Sequence, residues 1–267
     1  MAGPSPAMTP EGWFQSLRGD LMFENDVPKH KIGMLQPLAL IDNTPYEFYR
    51  LAPPRVMLVM IPIGLSEFSK DDVERVFAPL DSYLDQLMER GIDLVVQNGV
   101  PLPILIGLEA HDRMVAHMAR YTGKPATSQV RAVTRAAGAL RIRKLALANK
   151  WSDAMNRTLG QFFAREGVEI CGTATEVLSP AQFQKIKTDD NLQLAYDLGR
   201  RAFRDFPDCD GVYLGGGAWL AEPAAWALEN EFGKPVICNQ TAAIREMMIL
   251  LNDWKPLQGR GRVLATP

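Results

Sequence analysis

The turns that follow the expected strands carry most of the residues in this chain that could do chemistry, and Lys150 is their one cation. The turns read Pro37-Leu38-Ala39, Asn98-Gly99-Val100-Pro101, Asn149-Lys150-Trp151-Ser152, Gly215-Gly216-Gly217-Ala218-Trp219 and Asn239-Gln240-Thr241. A lysine drawn out of water can hold a substrate carboxylate, or shuttle a proton once burial lowers its pKa. Its plainer alternative is a surface lysine at a helix start. Glycine-rich turns present backbone N–H groups that suit an anion, here a carboxylate. Asn98 and Asn239 either donate to a substrate or cap turns, the commoner use of asparagine. Trp151 either packs the first helical turn or floors a pocket for a planar ring. Lys150 and Asn98 are therefore the candidate catalytic groups. Pro37, Gly99, Val100, Pro101, Asn149, Trp151, Gly215, Gly216, Gly217, Asn239 and Gln240 are the candidate substrate contacts. Glu222 reads as a solvated helix start, and Cys238 as a buried strand thiol rather than a nucleophile.

The elements that must position these turns come in two copies. Gly91-Ile-Asp-Leu-Val-Val-Gln-Asn-Gly99 is echoed by Asp208-Cys-Asp-Gly-Val-Tyr-Leu-Gly-Gly216, so that aligning Asp93 with Asp210 puts Gly99 on Gly216. Gly123-Lys124-Pro125 and the strand after it are echoed by Gly233-Lys234-Pro235. Strands alternate with helical tracts throughout, which predicts an α/β fold with parallel sheets. The expected architecture is two pseudo-symmetric Rossmann-like lobes, each with a parallel four-stranded sheet, and a cleft between them. Open α/β sheets bind ligands at strand C-terminal ends, which would line both walls of that cleft. Residues 1–30 read as an N-terminal extension, 31–141 with 240–267 as the first lobe, and 142–239 as the second.

Local signals predict several boundaries. Val56 to Ile61 is a continuous apolar run, expected to be buried on both faces of a sheet. Ser69 N-caps a helix running to about Arg90, with Gly91 beyond it. Ile104 to Tyr121 is predicted as one helix. Ser179-Pro180 opens a long helical tract to about Arg204. The tail after Trp254 shows turn chemistry without periodicity. The extension places Trp13, Phe14, Leu17, Leu21, Met22 and Phe23 at helical spacing. It is read as a helix on the outside or on a neighbouring subunit of a homo-oligomer, the alternative being a lid over the cleft.

Composition narrows the function classes. The chain has 267 residues, 47% of them hydrophobic, enough for one large core or two smaller ones. A net charge of −2 gives no field favouring nucleic acid or an anionic membrane. No apolar run is long enough to span a bilayer, and the N-terminus lacks the features of a secretory signal. Cys171, Cys209 and Cys238 have no CxxC spacing, so they read as reduced thiols of a cytoplasmic protein. His111 and His117 fall on different helical faces, so a histidine metal site is not expected. Gly215-Gly216-Gly217 is not a dinucleotide fingerprint and no P-loop occurs. No cofactor is expected.

Taken in order and spacing, several stretches resemble the aspartate/glutamate/hydantoin racemase superfamily, in its arylmalonate decarboxylase and maleate isomerase branch. They are Ile32-Gly-Met-Leu-Gln-Pro37, Gly91 to Gly107, Lys144-Leu-Ala-Leu-Ala-Asn149 with Asp153 and Asn156, Asp210 to Gly216, and Lys234-Pro-Val to Ala243. The resemblance implies that racemases of this family carry a cysteine at each of two facing strand ends, which here are Gly99 and Gly216. It implies that the decarboxylases keep the second cysteine as proton donor, a hydroxyl-bearing carboxylate cradle where Val100 and Pro101 stand, and a tyrosine where Trp151 stands. The fold therefore carries over and the cysteine mechanism does not. Two-base racemisation needs groups on opposite faces of one carbon, and with both cysteines absent it is not expected.

The expectation is a cofactor-independent carbon–carbon lyase, a decarboxylase of an aromatic carboxylic acid. Gly215–Gly217 and Asn98 would orient the carboxylate, Lys150 would supply charge or a proton, and Trp151 would pack the ring. A maleate-type cis–trans isomerase, a hydrolase or an aldehyde-releasing lyase on the same fold is the first alternative. A non-catalytic carboxylate-binding protein is the second.

Overall fold

The computed structural model describes residues 27–40, 43–216 and 219–267. The tract from Trp13 to Phe23 and Gly217 of the candidate site lie outside the described residues. The first copy of the repeat contains β1 (His30–Gln36), α1 (Asn43–Leu51), β2 (Val56–Pro62), α2 (Lys70–Phe77), α3 (Leu80–Glu89), β3 (Leu94–Gln97), α4 (Pro101–Ile106), α5 (Leu108–Thr122), β4 (Ala126–Ser128) and α6 (Gln129–Ala139). The second contains β5 (Lys144–Asn149), α7 (Asp153–Arg165), β6 (Glu169–Thr175), α8 (Pro180–Phe183), α9 (Thr188–Asp205), β7 (Gly211–Gly215), α10 (Glu222–Phe232) and β8 (Val236–Cys238), followed by α11 (Asn239–Leu250) and the short α12 (Arg262–Ala265).

Two parallel four-stranded sheets result, ordered β2-β1-β3-β4 and β6-β5-β7-β8. The repeated residues do the same work in each. Asp93 accepts the Lys31 N–H at 2.9 Å, and Asp210 accepts those of Arg143 and Lys144 at 2.8 Å, so each carboxylate fastens the start of the central strand beside it. The Val95 N–H reaches Pro125 O at 3.0 Å, and the Val212 N–H reaches Pro235 O at 3.1 Å. The Gly-Lys-Pro motif thus closes a helix and starts the last strand of each sheet.

Several elements differ from their predicted form. The helix expected from Ser69 to Arg90 is two helices, because Pro79 cannot donate a backbone hydrogen bond. Ser69 does cap the first, accepting the Asp72 N–H at 3.2 Å. The helix expected over Ile104 to Tyr121 is interrupted at Gly107 and starts earlier, at Pro101. The long tract after Ser179 is a single capped turn, α8, and then α9. Strand β2 is half-exposed rather than buried on both faces, because it forms an edge of its sheet. The tail is tied down by Val263 and Leu264, both buried.

One apolar core runs between the sheets. Val100, Ile104, Val130 and Val133 pack in the same cluster as Leu145, Leu147, Trp151, Leu159, Phe163 and Tyr213. Ala243, Ile244, Met247, Met248 and Leu264 join Ile32, Met34, Phe48 and Leu94 in another, so the C-terminal helices pack on the first sheet.

At the centre, a chain of amides crosses from one sheet to the other. The Gly99 N–H donates to Gln129 Oε1 at 2.8 Å, and Asn239 Nδ2 donates to the same oxygen at 2.9 Å. Asn239 Oδ1 in turn accepts the Tyr213 hydroxyl at 2.6 Å and the Gly216 N–H at 3.4 Å. Gln129 and Asn239 each open the helix after the last strand of their sheet, so they are equivalents in the repeat. Replacing Gln129 by leucine would strand two buried donors, each costing about 1–3 kcal/mol. We expect Gln129→Leu to lower the unfolding free energy by at least about 2 kcal/mol, read as a lower urea midpoint at an unchanged slope.

Candidate active site

The strand ends meet where the sheets face each other. The pocket there takes Gln36, Pro37 and Leu38 from the end of β1, and Asn98, Gly99 and Pro101 from the end of β3. Lys150 and Trp151 come from the end of β5, Gly216 and Trp219 from the end of β7, and Leu65 and Phe68 from the segment after β2. It is a narrow cavity of about 40 Å³. This is the topological switch point of both sheets, where strand order reverses and adjacent turns splay apart. A wider outer cavity of about 760 Å³ lies beside it, between residues 66–68 and 177–182, and shares Phe68, Lys150 and Trp151 with the inner pocket.

Lys150 is held by a braced turn. Asn149 accepts the Trp151 N–H at 3.0 Å and donates to Asn156 at 2.7 Å. The Thr175 hydroxyl donates to Asn149 O at 2.9 Å and is 3.0 Å from Trp151 O. Ser152 N-caps α7. These bonds fix the backbone on both sides of Lys150, whose side chain is 2% exposed. Its ammonium lies 4.3 Å from the centre of the Trp219 ring, with Asn191 Oδ1 at 3.5 Å. Burial pushes the Lys150 pKa well below the ordinary lysine value, and the charge of Glu176 offsets this only in part.

The remaining candidates divide. Pro37, Asn98, Gly99, Pro101, Lys150, Trp151 and Gly216 line the pocket. Asn149, Val100, Gly215, Asn239 and Gln240 are not among its lining residues. Asn149 braces the lysine turn, and Val100 belongs to the shared core. Asn239 belongs to the amide chain, and Gln240 donates to Thr44 O at 2.7 Å.

Two of the glycine N–H groups at the strand ends are already engaged, and Gly217 lies outside the described residues. The N–H groups of Gly99 and Gly216 are taken by Gln129 and Asn239, and Gly215 ends a strand. The glycines make room instead. A side chain on Gly99 would start 2.5 Å from Pro37 Cγ, at a φ of +84°. One on Gly215 would start 2.9 Å from the Trp151 ring, and one on Gly216 2.9 Å from Trp219 Nε1.

Asn98 also differs from expectation. Its Nδ2 donates to Gln36 Oε1, while its Oδ1 is buried without a partner. Among the described residues its unpartnered atom is an acceptor, while the nitrogen keeps a second N–H. Cys238 lies outside the pocket, and burial first, then the charge of Glu47, pushes its thiol to about 12. His111 is buried against the Ser128 hydroxyl at 2.7 Å, and its pKa falls to about 4 through burial.

Gln36, Leu38, Leu65, Phe68 and Trp219 complete the pocket beyond the candidate residues. Gln36 ends β1 and was open to the strand-end rule. Trp219 stands two residues beyond Gly217, at the end of the glycine-rich turn. Leu65 and Phe68 follow an edge strand in a segment with no periodicity to mark them.

Two facing parallel α/β sheets with an apolar, aromatic cleft at their switch points define a racemase-superfamily scaffold. The family model for arylmalonate decarboxylase matches residues 32–264, and the chain belongs to that family. Arylmalonate decarboxylase of Bordetella bronchiseptica is 28% identical over 233 residues, covering 87% of this chain and 95% of that protein. The structure of a liganded arylmalonate decarboxylase variant, with one Gly-to-Cys and one Cys-to-Ser change, matches with a TM-score of 0.78 at 26% identity. It covers 88% of this chain and 98% of the other. Maleate cis–trans isomerase of Nocardia farcinica shares the fold, with a TM-score of 0.76 at 16% identity over 88% and 98% of the two chains.

Two outcomes follow for stability. Gly99→Cys forces both a left-handed backbone and a clash with Pro37, and should lose about 1–3 kcal/mol in urea unfolding. Lys150 acts in the opposite sense. Between its lowered native pKa and 10.5, the unfolded chain holds a proton that the folded chain lacks, so stability rises with pH across that window. Lys150→Met should therefore unfold at the same or higher urea concentration at neutral pH, with the gap narrowing as pH rises.

Proposed function

We propose that this protein is a cofactor-independent carbon–carbon lyase that decarboxylates an aromatic carboxylic acid in the interlobe pocket, without a thiol as proton donor. The observation that carries the reading is Lys150, a buried ammonium among Trp151, Trp219, Phe68 and Pro37 at the switch point of a family member. The aromatic walls suit a planar ring. The ammonium suits an anion, and binding that anion would raise the lysine pKa again, so the acid arrives with its proton source charged.

The step balances without a redox partner. The bond from the α-carbon to the departing carboxylate breaks, and carbon dioxide leaves. The electron pair stays on the α-carbon and spreads into the ring and any retained carboxylate. The Lys150 ammonium gives its proton to that carbon, and the neutral amine is reprotonated from water. A buried lysine with a lowered pKa is a better acid near neutrality than a solvated one. Asn98 Oδ1 would accept a hydroxyl of the substrate or of its protonated acid.

The test is turnover against a panel of aryl-substituted malonic, acetic and hydroxycinnamic acids, with carbon dioxide, aldehyde and optical rotation followed together. Carbon dioxide supports the reading, whereas aldehyde alone or inversion alone replaces it with another lyase or a racemase. Lys150→Met should lower turnover roughly ten- to a hundred-fold, since a charge-assisted contact is worth about 1.5–3 kcal/mol, while remaining folded. The wild-type rate should fall at alkaline pH, with a midpoint below 10.5. A variant with unchanged kinetics would remove Lys150 from the mechanism.

A further inference from the structure

We propose that the Trp219 indole N–H is a substrate donor of this pocket, holding an anionic oxygen of the ligand beside Lys150; this rests on reading the pocket as a site for a carboxylic acid. Trp219 is fully buried, and its Nε1 has no hydrogen-bond partner. A buried N–H without an acceptor is unfavourable, and native structures tolerate one where a ligand or other group completes it. This one belongs to a residue that lines the pocket.

Glycine at position 216 lets the chain run close beside this N–H without a side chain against it. A Cβ on Gly216 would sit 2.9 Å from Trp219 Nε1 and 3.0 Å from its Cδ1, so any side chain there would crowd the N–H. Gly215 does the same for the ring of Trp151. The two glycines thus seat two tryptophans, and the second seat faces an unmet donor. Two backbone amides of the glycine turns at the pocket are already committed, Gly99 to Gln129 and Gly216 to Asn239. Neither of these two amides is free for an anion at this wall, which leaves the indole N–H as a donor there.

Lys150 and Trp219 form one unit. The ammonium lies over the face of the indole, 4.3 Å from its centre. The N–H projects from the edge of the same ring. A cation on the face is attracted by the ring's π-electrons, and drawing on them makes the N–H a stronger donor. The indole N–H donates and does not accept, so it fixes the oxygen, while proton transfer stays with Lys150. Ligands would be selected for an anionic oxygen, and a neutral amide of the same shape would be held less well.

The test uses the full chain with nitrogen-15 in its indole rings. The Trp219 resonance is assigned by its absence from Trp219→Phe, which keeps a ring face for Lys150 and removes the N–H. Phenylacetate is the probe and phenylacetamide the neutral control, with binding heat measured in parallel. We expect phenylacetate to move the Trp219 N–H resonance downfield and phenylacetamide to move it less. Trp219→Phe should bind phenylacetate roughly ten- to a hundred-fold more weakly. Gly216→Ala, which places a methyl before an intact indole, should weaken binding as well, and serves if Trp219→Phe does not fold. Phenylacetate that binds without moving the resonance, or binds wild type and both variants alike, overturns the donor assignment and leaves the acid-site reading standing. Phenylacetate that gives neither heat nor shift overturns both. A downfield shift with no turnover of any acid supports the donor while removing the lyase.

Discussion

Gln129 Oε1 is the atom on which the two halves of this molecule agree. It accepts the backbone N–H of Gly99 from one sheet and the side-chain amide of Asn239 from the other, and Asn239 Oδ1 then accepts the backbone N–H of Gly216. Both ends of the chain are backbone donors, so neither amide can be turned round without placing two donors face to face. The two glycine turns are thereby fixed relative to one another across a buried interface. Such a network specifies one arrangement because an unpaired member in a low-dielectric interior is so unfavourable. The surrounding apolar core, continuous from Val100 and Val133 to Leu147 and Tyr213, excludes the water that would otherwise substitute.

This arrangement determines where chemistry can come from. Strand-to-helix turns with glycine ordinarily leave backbone N–H groups facing the ligand. Here those of Gly99 and Gly216 face inward to the amides. Among the described residues, the side chains of Gln36, Asn98, Lys150 and Trp219 bring polar groups to the pocket lining. A scaffold whose relatives include decarboxylases and isomerases is in this chain lined by aromatic rings and a lysine. The fold fixes the position of the site, and local substitution decides its chemistry.

The repeat was legible because its signals are local. Asp93 and Asp210 stand at the same place in each copy, and the Gly-Lys-Pro motifs start equivalent strands. Alternating elements then dictate parallel sheets. The helix interruptions were readable in principle from Pro79 and Gly107, but the surrounding periodicity masked them. Lys150, Trp151, Asn98 and Pro37 were found because strand ends are where such folds bind ligands. Gln129 was not, because its meaning depends on a partner 110 residues away that only the fold supplies. The glycines were the subtler case. Read as a sequence they signal backbone donors; read against Pro37, Trp151 and Trp219 they are vacancies shaped for neighbouring rings.

Lys150 itself argues against a purely structural role. A lysine at this depth is taken out of water, and burial depresses its pKa further than the charge of Glu176 restores it. An apolar side chain of similar length would fill the same space against Trp219 without that penalty. The chain nonetheless braces the lysine turn from both sides, through Asn149, Asn156 and Thr175. Rigid support around an unfavourable charge is what a site needs when the charge must be ready before the ligand arrives. Local rules that break at a pocket while holding elsewhere in a fold are where function concentrates. In this protein the break falls on adjoining side chains, a desolvated ammonium lying over the Trp219 ring and an indole N–H without an acceptor among the described residues.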